Sequence, residues 1–297
     1  MKKKLISIII NCYNGEKYLQ KTLDSILIQK YRRYEVIFVD NCSIDRSAKI
    51  FKKINDKRFR YFKTKKKIKL YESRNFAIKK CKGDYITFID TDDWWDKNFL
   101  ISRKKFFDSS DEYGFCYSNC FHYYENKNSF VPFSQNHLPS GFILDNLLKY
   151  YFIKMGTIII KKKLFDFFKF NPRFNIIGDF DLVIRAAQKF KGMAFQDLLV
   201  NIRIHKDNFT HNNRGMFYRE YKVWLKNQNF GNKYFRKNKS QLFERLEYLR
   251  LVNLLINKKS FNLVFDILKL SFSTQKLKLL LIYFLPNFFI KFKLKYF

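Results

Sequence analysis

Short apolar runs alternate with helical segments through the first third of the chain. The runs at 5–11, 34–39, 59–62 and 84–89 predict strands, and helices are predicted after the first run, at about 45–54 and at 72–80. Continuous apolar strands are typically buried on both faces of a parallel sheet. The alternation therefore predicts right-handed βαβ units and an α/β fold, with a mostly parallel Rossmann-type sheet flanked by helices.

The run at 84–89 leads directly into Asp90-Thr91-Asp92-Asp93, which we call the acidic loop. Burying a carboxylate costs several kcal/mol unless a cation or hydrogen bonds compensate it. Hard oxygen ligands without Cys or His favour Mg²⁺ or Mn²⁺, and these ions often share their shell with substrate phosphates. The acidic loop therefore predicts a divalent-metal site, and a turn rich in Asp is the alternative.

Polar side chains follow three of the predicted strands, at Asn11, Asp40 and Asp90. In sheets of this kind, ligands bind at the carboxyl ends of the strands. The sequence therefore predicts one polar site at that edge of the sheet. Helix capping is an alternative role for Asp40 and the expected role of Asp45.

The second half of the chain is less regular. A helix is predicted at 97–108, strands at 113–119 and 156–160, helices at 161–168 and 179–190, and a last strand ending at 203–205. From 217 onward the sequence is helical in character and rich in Lys and Leu.

The formal net charge of +33 suits nucleic acid, an anionic membrane or anionic substrates. Part of the Lys excess follows a composition typical of AT-rich codons, because Asn, Ile, Phe and Tyr are abundant too. The five Cys form no CxxC pair and no zinc spacing with the four His, so reduced thiols are expected. The first apolar run is too short for the core of a signal peptide, so a cytoplasmic protein is expected.

Five stretches, in a fixed order, carry a resemblance to a known family. They are residues 7–14, 35–45, 73–75, 82–93 and 178–182, which read SIIINCYN, EVIFVDNCSID, SRN, KGDYITFIDTDD and GDFDL. Over about residues 5–210, the chain resembles the family 2 inverting glycosyltransferases, which have the GT-A fold. The resemblance implies a nucleotide-sugar donor and a divalent metal, Mg²⁺ or Mn²⁺.

The resemblance places the donor nucleotide against Asn11, Tyr13, Asp40, Asn41 and Arg74, with Asp92 as a further contact. Arg74 would face the diphosphate, because a guanidinium matches its geometry. At position 41 the family usually has an acid, but an amide can also pair with a base edge because it both donates and accepts. A UDP-sugar is the expected donor. A solvated surface position is the alternative for Arg74.

The resemblance also implies the metal ligands, which are Asp90, Asp92, Asp93 and His205. The metal would neutralise the departing diphosphate. A hydrogen-bonded surface His is the alternative for His205.

Asp179 is the expected general base, because Gly178-Asp179 opens a helix with an electropositive end. In the family, a carboxylate here deprotonates the acceptor hydroxyl, and direct displacement inverts the anomeric centre. A helix cap is the alternative for Asp179, and Asp181 is expected to be structural or to face the acceptor. Trp94 and Trp95 would stack on sugar rings or pack in the core.

Three parts are predicted: a nucleotide-sugar-binding half at 1–97, an acceptor-binding and catalytic half of the same domain at 98–216, and a C-terminal helical basic tail at 217–297. Residues 226–297 contain 15 Lys or Arg and 3 Asp or Glu. The apolar run at 279–285 is far below the roughly 20 residues of a membrane span. Its basic flanks suit an in-plane helix on an anionic membrane, and a helical lid is the alternative.

These observations predict a metal-dependent inverting glycosyltransferase, peripheral on the inner face of the cytoplasmic membrane. It would act on a glycan or glycolipid acceptor in cell-surface polysaccharide biosynthesis, with no nucleic-acid partner. A nucleotidyltransferase is one alternative, but it would normally carry a Gly-rich basic loop after the first strand. A non-catalytic basic adaptor for membranes or nucleic acid is another, but it would not need three carboxylates at a strand end.

Overall fold

A seven-stranded, mostly parallel sheet lies at the centre of the first part of the chain. The structure is a computed structural model that describes residues 4–109, 112–257, 262–270 and 274–284. Strands β1 (Ile6–Cys12), β2 (Tyr34–Asp40), β3 (Phe59–Lys63) and β4 (Tyr85–Phe88) pair in parallel in the order β4-β1-β2-β3. The predicted polar residues therefore lie at one edge, because parallel strands share the direction of their carboxyl ends.

Helices α1 (Glu16–Leu27), α2 (Ser47–Lys52) and α3 (Leu70–Ile78) connect these strands. In α1, the buried residues Leu19, Leu23 and Ile26 recur at helical spacing and join the core formed by β1 and β2. Burying each such side chain contributes about 1.5–3 kcal/mol. This half of the chain confirms the predicted α/β fold.

The remaining elements of this part complete the central sheet and add a second one. They are β5 (Trp94–Trp95), α4 (Phe99–Ser102), α5 (Lys104–Phe107), β6 (Tyr113–Ser118), β7 (Phe121–Tyr124), β8 (Ser129–Pro132), α6 (Leu144–Lys149), β9 (Ile159–Lys161), α7 (Gly178–Ala187), β10 (Lys191–Phe195) and β11 (Val200–Ile204). The central order is β10-β6-β9-β4-β1-β2-β3, with β9 antiparallel to both neighbours. The second sheet has the order β5-β11-β7-β8.

Three predicted elements were wrong in detail. The helix expected at 97–108 is broken at Arg103, whose buried guanidinium forms two hydrogen bonds, of 2.6 and 2.7 Å, with the Asp197 carboxylate. The strand expected at 156–160 begins late, because Met155–Thr157 forms a 3₁₀ turn before β9. The helix expected at 161–168 is a 3₁₀ segment, Lys162–Asp166.

The chain forms two compact units, Met1–Ile204 and His205–Phe297. The second unit contains α8 (Phe209–Asn212), α9 (Arg214–Lys226), α10 (Lys233–Lys237), α11 (Lys239–Asn257), α12 (Asn262–Leu268) and α13 (Thr274–Phe284). Apolar residues of α11, α12 and α13 pack into a core of their own. Within the described ranges, no helix has both the length and the apolar character needed to cross a membrane. Residues 285–297 of the predicted tail lie outside the described residues.

Candidate active site

Helix α3 links the ends of two central strands. At the end of β1, the Asn11 Nδ2 donates to the Ser73 Oγ at 2.6 Å. Just after β4, Asp90 Oδ1 accepts a hydrogen bond of 3.0 Å from the Arg74 guanidinium. Arg74 is only 3% exposed and lies near the Tyr71 ring, which excludes the alternative of a solvated surface arginine. The structure thus brings Asn11, Arg74 and Asp90 to one place, as the sequence predicted.

The Asn11 side-chain oxygen, Oδ1, is shielded from solvent and has no hydrogen-bond partner among the described residues. Buried polar atoms are nearly always paired, and leaving one unpaired costs about 1–3 kcal/mol. An unpaired acceptor at the carboxyl ends of the strands fits a binding site in which a ligand supplies the missing hydrogen-bond donor.

The first turn of α3 also reaches Asp179. The Tyr71 hydroxyl donates to the Ile176 carbonyl at 2.7 Å and lies 3.3 Å from Asp179 Oδ1, which also accepts a 2.8 Å bond from the Phe180 N–H. A Cβ at Gly178 would lie 2.5 Å from carbons of the Tyr71 ring, so the glycine permits this close approach. Tyr71 and Ser73 were not predicted as site residues, and the only signal for Ser73 was its place beside Arg74.

Asp179 and Asp181 have different surroundings although both lie in the first turn of α7. Asp179 is partly exposed. Asp181 is buried and forms a 2.7 Å ion pair with Arg185 one turn later. Asp181 therefore has an ion-pair partner on its own helix, which agrees with the structural role expected for it. Of the two carboxylates, only that of Asp179 belongs to a partly exposed residue.

The acidic loop is fixed mainly through its backbone. The buried Thr22 hydroxyl of α1 lies 2.9 and 2.7 Å from the carbonyl oxygens of Thr91 and Asp93. The Asp93 carboxylate is 4% exposed and accepts a 2.9 Å hydrogen bond from the Arg203 N–H. Asp93 therefore has an anchoring contact inside the protein, whereas the Asp90 side chain is half exposed. Metal binding by Asp93 stays a prediction.

The acidic loop concentrates more negative charge than its neighbours compensate. Desolvation raises the pKa of Asp90, the charge of Asp92 adds to this, and Arg74 opposes it. Desolvation also raises the pKa of Asp93 well above its usual range, and the charges of Asp92 and Asp90 act in the same direction. A bound cation would relieve this repulsion.

The donor atoms at the acidic loop suit Mg²⁺ or Mn²⁺. Asp90 and Asp92 offer carboxylate oxygens, and these ions are commonly held by one or two carboxylates together with substrate phosphates. Among the described residues, no three or more His, Cys, Asp or Glu side chains surround a single metal position. The residues therefore fit a metal that takes its remaining ligands from substrate and water.

Asp40 and Asn41 hold neighbouring loops. The Asp40 carboxylate is 0% exposed and accepts hydrogen bonds from the Ser43 N–H at 2.7 Å and from the Tyr61 hydroxyl at 2.6 Å. The Asn41 amide pairs with both backbone groups of Ile68, at 2.9 and 2.7 Å. The capping alternative for Asp40 was wrong, because α2 begins only at Ser47 and the Asp40 carboxylate holds the loop that precedes it. Direct nucleotide contact by these two residues stays a prediction.

Tyr13 and Asp45 lie in the loops beside these residues. Tyr13 is 44% exposed, with the Lys67 ammonium 3.6 Å from the centre of its ring, so a ligand can reach it. Asp45 accepts hydrogen bonds from the N–H groups of Ser47 and Glu16, at 3.0 and 2.9 Å. These are the first residues of α2 and α1, so Asp45 pairs with a backbone donor at the start of each helix, although the N-cap residues themselves are Arg46 and Gly15.

Trp94, Trp95 and His205 are the remaining residues that the sequence predicted for the site. Trp95 is buried, and its Nε1 donates to the Gly156 carbonyl, so it belongs to the core rather than to a sugar site. The Trp94 ring lies 3.6 Å from the Lys21 ammonium. His205 directly follows β11 and belongs to the second unit, where its Nδ1 accepts a hydrogen bond from the Asp207 N–H. A metal-binding role for His205 stays a prediction.

Known proteins share both the sequence pattern and the fold. Residues 7–186 match the family model described as Glycosyl transferase family 2. A protein of Escherichia coli, named UDP-Glc:alpha-D-GlcNAc-diphosphoundecaprenol beta-1,3-glucosyltransferase, is 35% identical over 159 residues, which are 54% of this chain and 61% of that protein. The amylovoran biosynthesis glycosyltransferase AmsB of Erwinia amylovora is 26% identical over 68% of this chain and 70% of its own length. Matches to two other relatives, from Streptococcus pneumoniae and Haemophilus influenzae, cover 14% and 38% of those proteins.

Solved structures of glycosyltransferases have the same fold at low sequence identity. Residues 1–349 of TarS from S. aureus superpose with a TM-score of 0.61 at 17% identity, covering 90% of this chain and 81% of that one. The mannosyltransferase PcManGT from Pyrobaculum calidifontis gives 0.64 at 13% identity, covering 99% and 86%. The family match extends from the first strand to the last turn of α7 and confirms the resemblance seen in the sequence. The chain belongs to glycosyl transferase family 2.

Proposed function

We propose that this chain transfers a sugar from a nucleotide-sugar donor to a hydroxyl group of a lipid-linked glycan, with inversion at the anomeric carbon. The proposal rests on one observation, which is that three of the predicted site residues contact the same helix, α3. This one helix contacts Asn11, Asp90 and Asp179, which are the predicted nucleotide, metal and base residues. A cation-binding group, a diphosphate-binding arginine and a general base are the parts that such a transfer requires.

The donor diphosphate would lie between Arg74 and the acidic loop. Asp90 and Asp92 would hold Mg²⁺ or Mn²⁺, with the remaining ligands supplied by the donor diphosphate and water. When bound, the metal acts as a Lewis acid that neutralises the departing diphosphate. Arg74 is held rigidly by its contact with Asp90, and its remaining N–H groups can donate to phosphate oxygens in a fixed geometry.

Asp179 would accept the proton of the acceptor hydroxyl. As that proton leaves, the hydroxyl oxygen forms a bond to the anomeric carbon, and the bond from that carbon to the diphosphate oxygen breaks. A single displacement of this kind inverts the anomeric configuration. Partial exposure of Asp179 at the start of α7 leaves it accessible to an acceptor.

The donor nucleotide is proposed to be uridine diphosphate. The E. coli relative is named for UDP-Glc, and a TarS structure contains UDP-GlcNAc. The P. calidifontis structure contains GDP-Man and Mn²⁺, so guanosine diphosphate is the competing choice. The E. coli name also specifies a diphosphoundecaprenol acceptor, which supports a lipid-linked glycan in surface-polysaccharide assembly here.

A thermal-shift experiment with Mn²⁺ tests the donor. We expect UDP or a UDP-sugar at about 100 times its Kd to stabilise the chain by roughly 2.7 kcal/mol, and EDTA to abolish the effect. Stabilisation by GDP instead would change the assigned nucleobase from uracil to guanine and leave the proposed reaction unchanged. Stabilisation by nucleoside triphosphates alone would favour the nucleotidyltransferase alternative. Salt-sensitive DNA binding without any nucleotide effect would favour the basic adaptor.

A membrane surface is proposed as the working site of the enzyme. In α13, Leu279 and Ile282 are buried, while Leu281 and Phe284 on another face are 70% and 74% exposed, and Leu277 one turn earlier is exposed too. A group of exposed apolar side chains is typical of a site that contacts a membrane or a partner. The net charge of +33 suits anionic lipid on the inner face of the cytoplasmic membrane.

The double variant Leu281→Ser with Phe284→Ser should bind vesicles of anionic lipid about tenfold or more weakly, because two exposed apolar side chains no longer insert. Sedimentation with the vesicles measures this, and binding of the unmodified chain should weaken with salt. The matched control is Ile44→Ser with Phe167→Ser, which removes exposed apolar side chains from the first unit. Equal binding by the test and control variants would contradict the membrane proposal and favour the helical lid.

A further inference from the structure

Arg203 lies where β11 passes the acidic loop. Strand β11 pairs with β5 through Val200 and Asn201, opposite Trp95 and Trp94. Beyond these two pairs, the backbone pairing between β11 and β5 ends. The Arg203 N–H donates to the side chain of Asp93 at 2.9 Å, so this carboxylate takes the position of the next ladder acceptor.

The Arg203 side chain makes a second contact with the same loop. Its Nε donates to the Asp92 carbonyl at 3.1 Å. The guanidinium carbon lies 4.3 Å from the ring centre of Tyr18 and 4.9 Å from that of Trp94, and only 7% of the residue is exposed. The guanidinium plane is therefore confined between rings, and its Nε–H points in a fixed direction.

Thr22 of α1 contacts the backbone of the same loop. Its hydroxyl lies within hydrogen-bond distance of the carbonyls of Thr91 and Asp93, which precede and follow that of Asp92. Because the hydroxyl has one hydrogen, these two carbonyls share it, and the Asp92 carbonyl has its own donor in Arg203. Both contacting side chains are nearly inaccessible to solvent, so neither is placed to touch a substrate.

We propose that Arg203 and Thr22 are positioning residues that fix the backbone of the acidic loop and so present the Asp92 carboxylate to the metal and diphosphate. This inference rests on the proposed function. A carboxylate ligand on an unanchored loop would lose conformational freedom each time the metal bound. Because the two donors of Arg203 and Thr22 already hold the loop backbone, that entropy is lost during folding, and metal affinity gains accordingly.

Arg203→Lys tests the role of the guanidinium. Lysine keeps the charge but lacks the planar donor that reaches the Asp92 carbonyl, so we expect Mn²⁺ affinity to fall about three- to tenfold, which corresponds to the usual net contribution of one hydrogen bond. The measurement is a Mn²⁺ titration of the full chain, first with the metal alone and then with UDP or GDP. Thr22→Val, which removes only the hydroxyl, should lower Mn²⁺ affinity in the same direction.

Arg58→Lys is the matched control. Arg58 also lies over a tyrosine ring, 4.1 Å from the centre of Tyr34, and donates to Asp56 and to the Arg32 carbonyl, but at the amino ends of the strands. A general loss of packing would lower the melting temperature of both arginine variants and leave Mn²⁺ affinity unchanged. A positioning role lowers Mn²⁺ affinity in Arg203→Lys and not in Arg58→Lys.

Unchanged Mn²⁺ affinity in folded Arg203→Lys would overturn the inference while leaving the proposed function intact. If Arg203→Lys does not fold, Thr22→Val decides in the same way. If the unmodified chain binds no Mn²⁺ with either diphosphate, the metal-dependent function and this inference both fail.

Discussion

Asp179→Asn should lower turnover by about 10²-fold or more and leave donor affinity unchanged, because an amide cannot accept the proton of the acceptor hydroxyl. Asparagine keeps the shape of the side chain and an acceptor for the Phe180 N–H, so the start of α7 should stay intact. Steady-state kinetics with saturating acceptor measures turnover, and donor affinity is measured separately by titration. A loss confined to turnover identifies a residue that acts in the transition state.

Asp181→Asn is the control for this experiment, since it changes the same chemical group two residues away. It should cost stability through the lost ion pair with Arg185 and keep near-normal turnover. The reverse outcome, with Asp179→Asn active and Asp181→Asn inactive, would move the base to Asp181. NMR of the product should show the anomeric configuration opposite to that of the donor, and retention would contradict the single-displacement mechanism.

Asp92→Asn should abolish Mn²⁺-dependent nucleotide binding and lower turnover by about 10²-fold or more, since Lewis-acid stabilisation contributes several kcal/mol. The free energy of unfolding should not fall, because the charge of Asp92 opposes ionisation of both Asp90 and Asp93. Calorimetric titration and thermal unfolding measure the two effects. A metal site that was mainly structural would instead lose stability together with binding.

Asp96→Asn serves as the control for Asp92→Asn. Asp96 follows β5, and its carboxylate accepts hydrogen bonds from the backbone and side chain of Asn98. This variant should bind Mn²⁺ and nucleotide as the unmodified chain does. Equal losses in the two variants would mean that any carboxylate in this region matters only through net charge, and the assigned metal site would be wrong.

The central sheet could be predicted from the sequence because local and tertiary signals agree there. The runs at β1, β2 and β4 are apolar, and in the structure each pairs in parallel with at least one neighbour and lies inside the sheet. Polar residues at their carboxyl ends then had to meet at one edge. The α/β fold follows from strand burial and connection handedness, which are both legible in a single chain.

The direction of individual side chains could not be predicted in the same way. Asp40 and Asn41 have acceptor and donor groups that suit a nucleotide, yet in the structure both are satisfied by residues 21 to 27 positions away. At the break in the predicted helix, Arg103 pairs with Asp197, which is 94 positions later. Spacing and composition carry no information about such partners, because each is chosen by tertiary packing.

The anchoring of the acidic loop was missed for the same reason. Arg203 was noted only as part of a strand end, and Thr22 only as part of a helix. Their contacts with the loop join positions separated by 69 to 111 residues. The sequence could thus indicate the acidic loop as the candidate metal site, but not what holds its backbone in place.

Helix α3 has a consequence for how the proposed site can change. Its neighbouring residues Tyr71, Ser73 and Arg74 contact the proposed base, the first strand and the acidic loop. A displacement of the helix would therefore move the leaving-group side and the acceptor side of the reaction together, and a shift of about 1 Å can cost on the order of 10²-fold in rate. New acceptor specificity is accordingly more accessible through substitutions in loops that leave this helix in place.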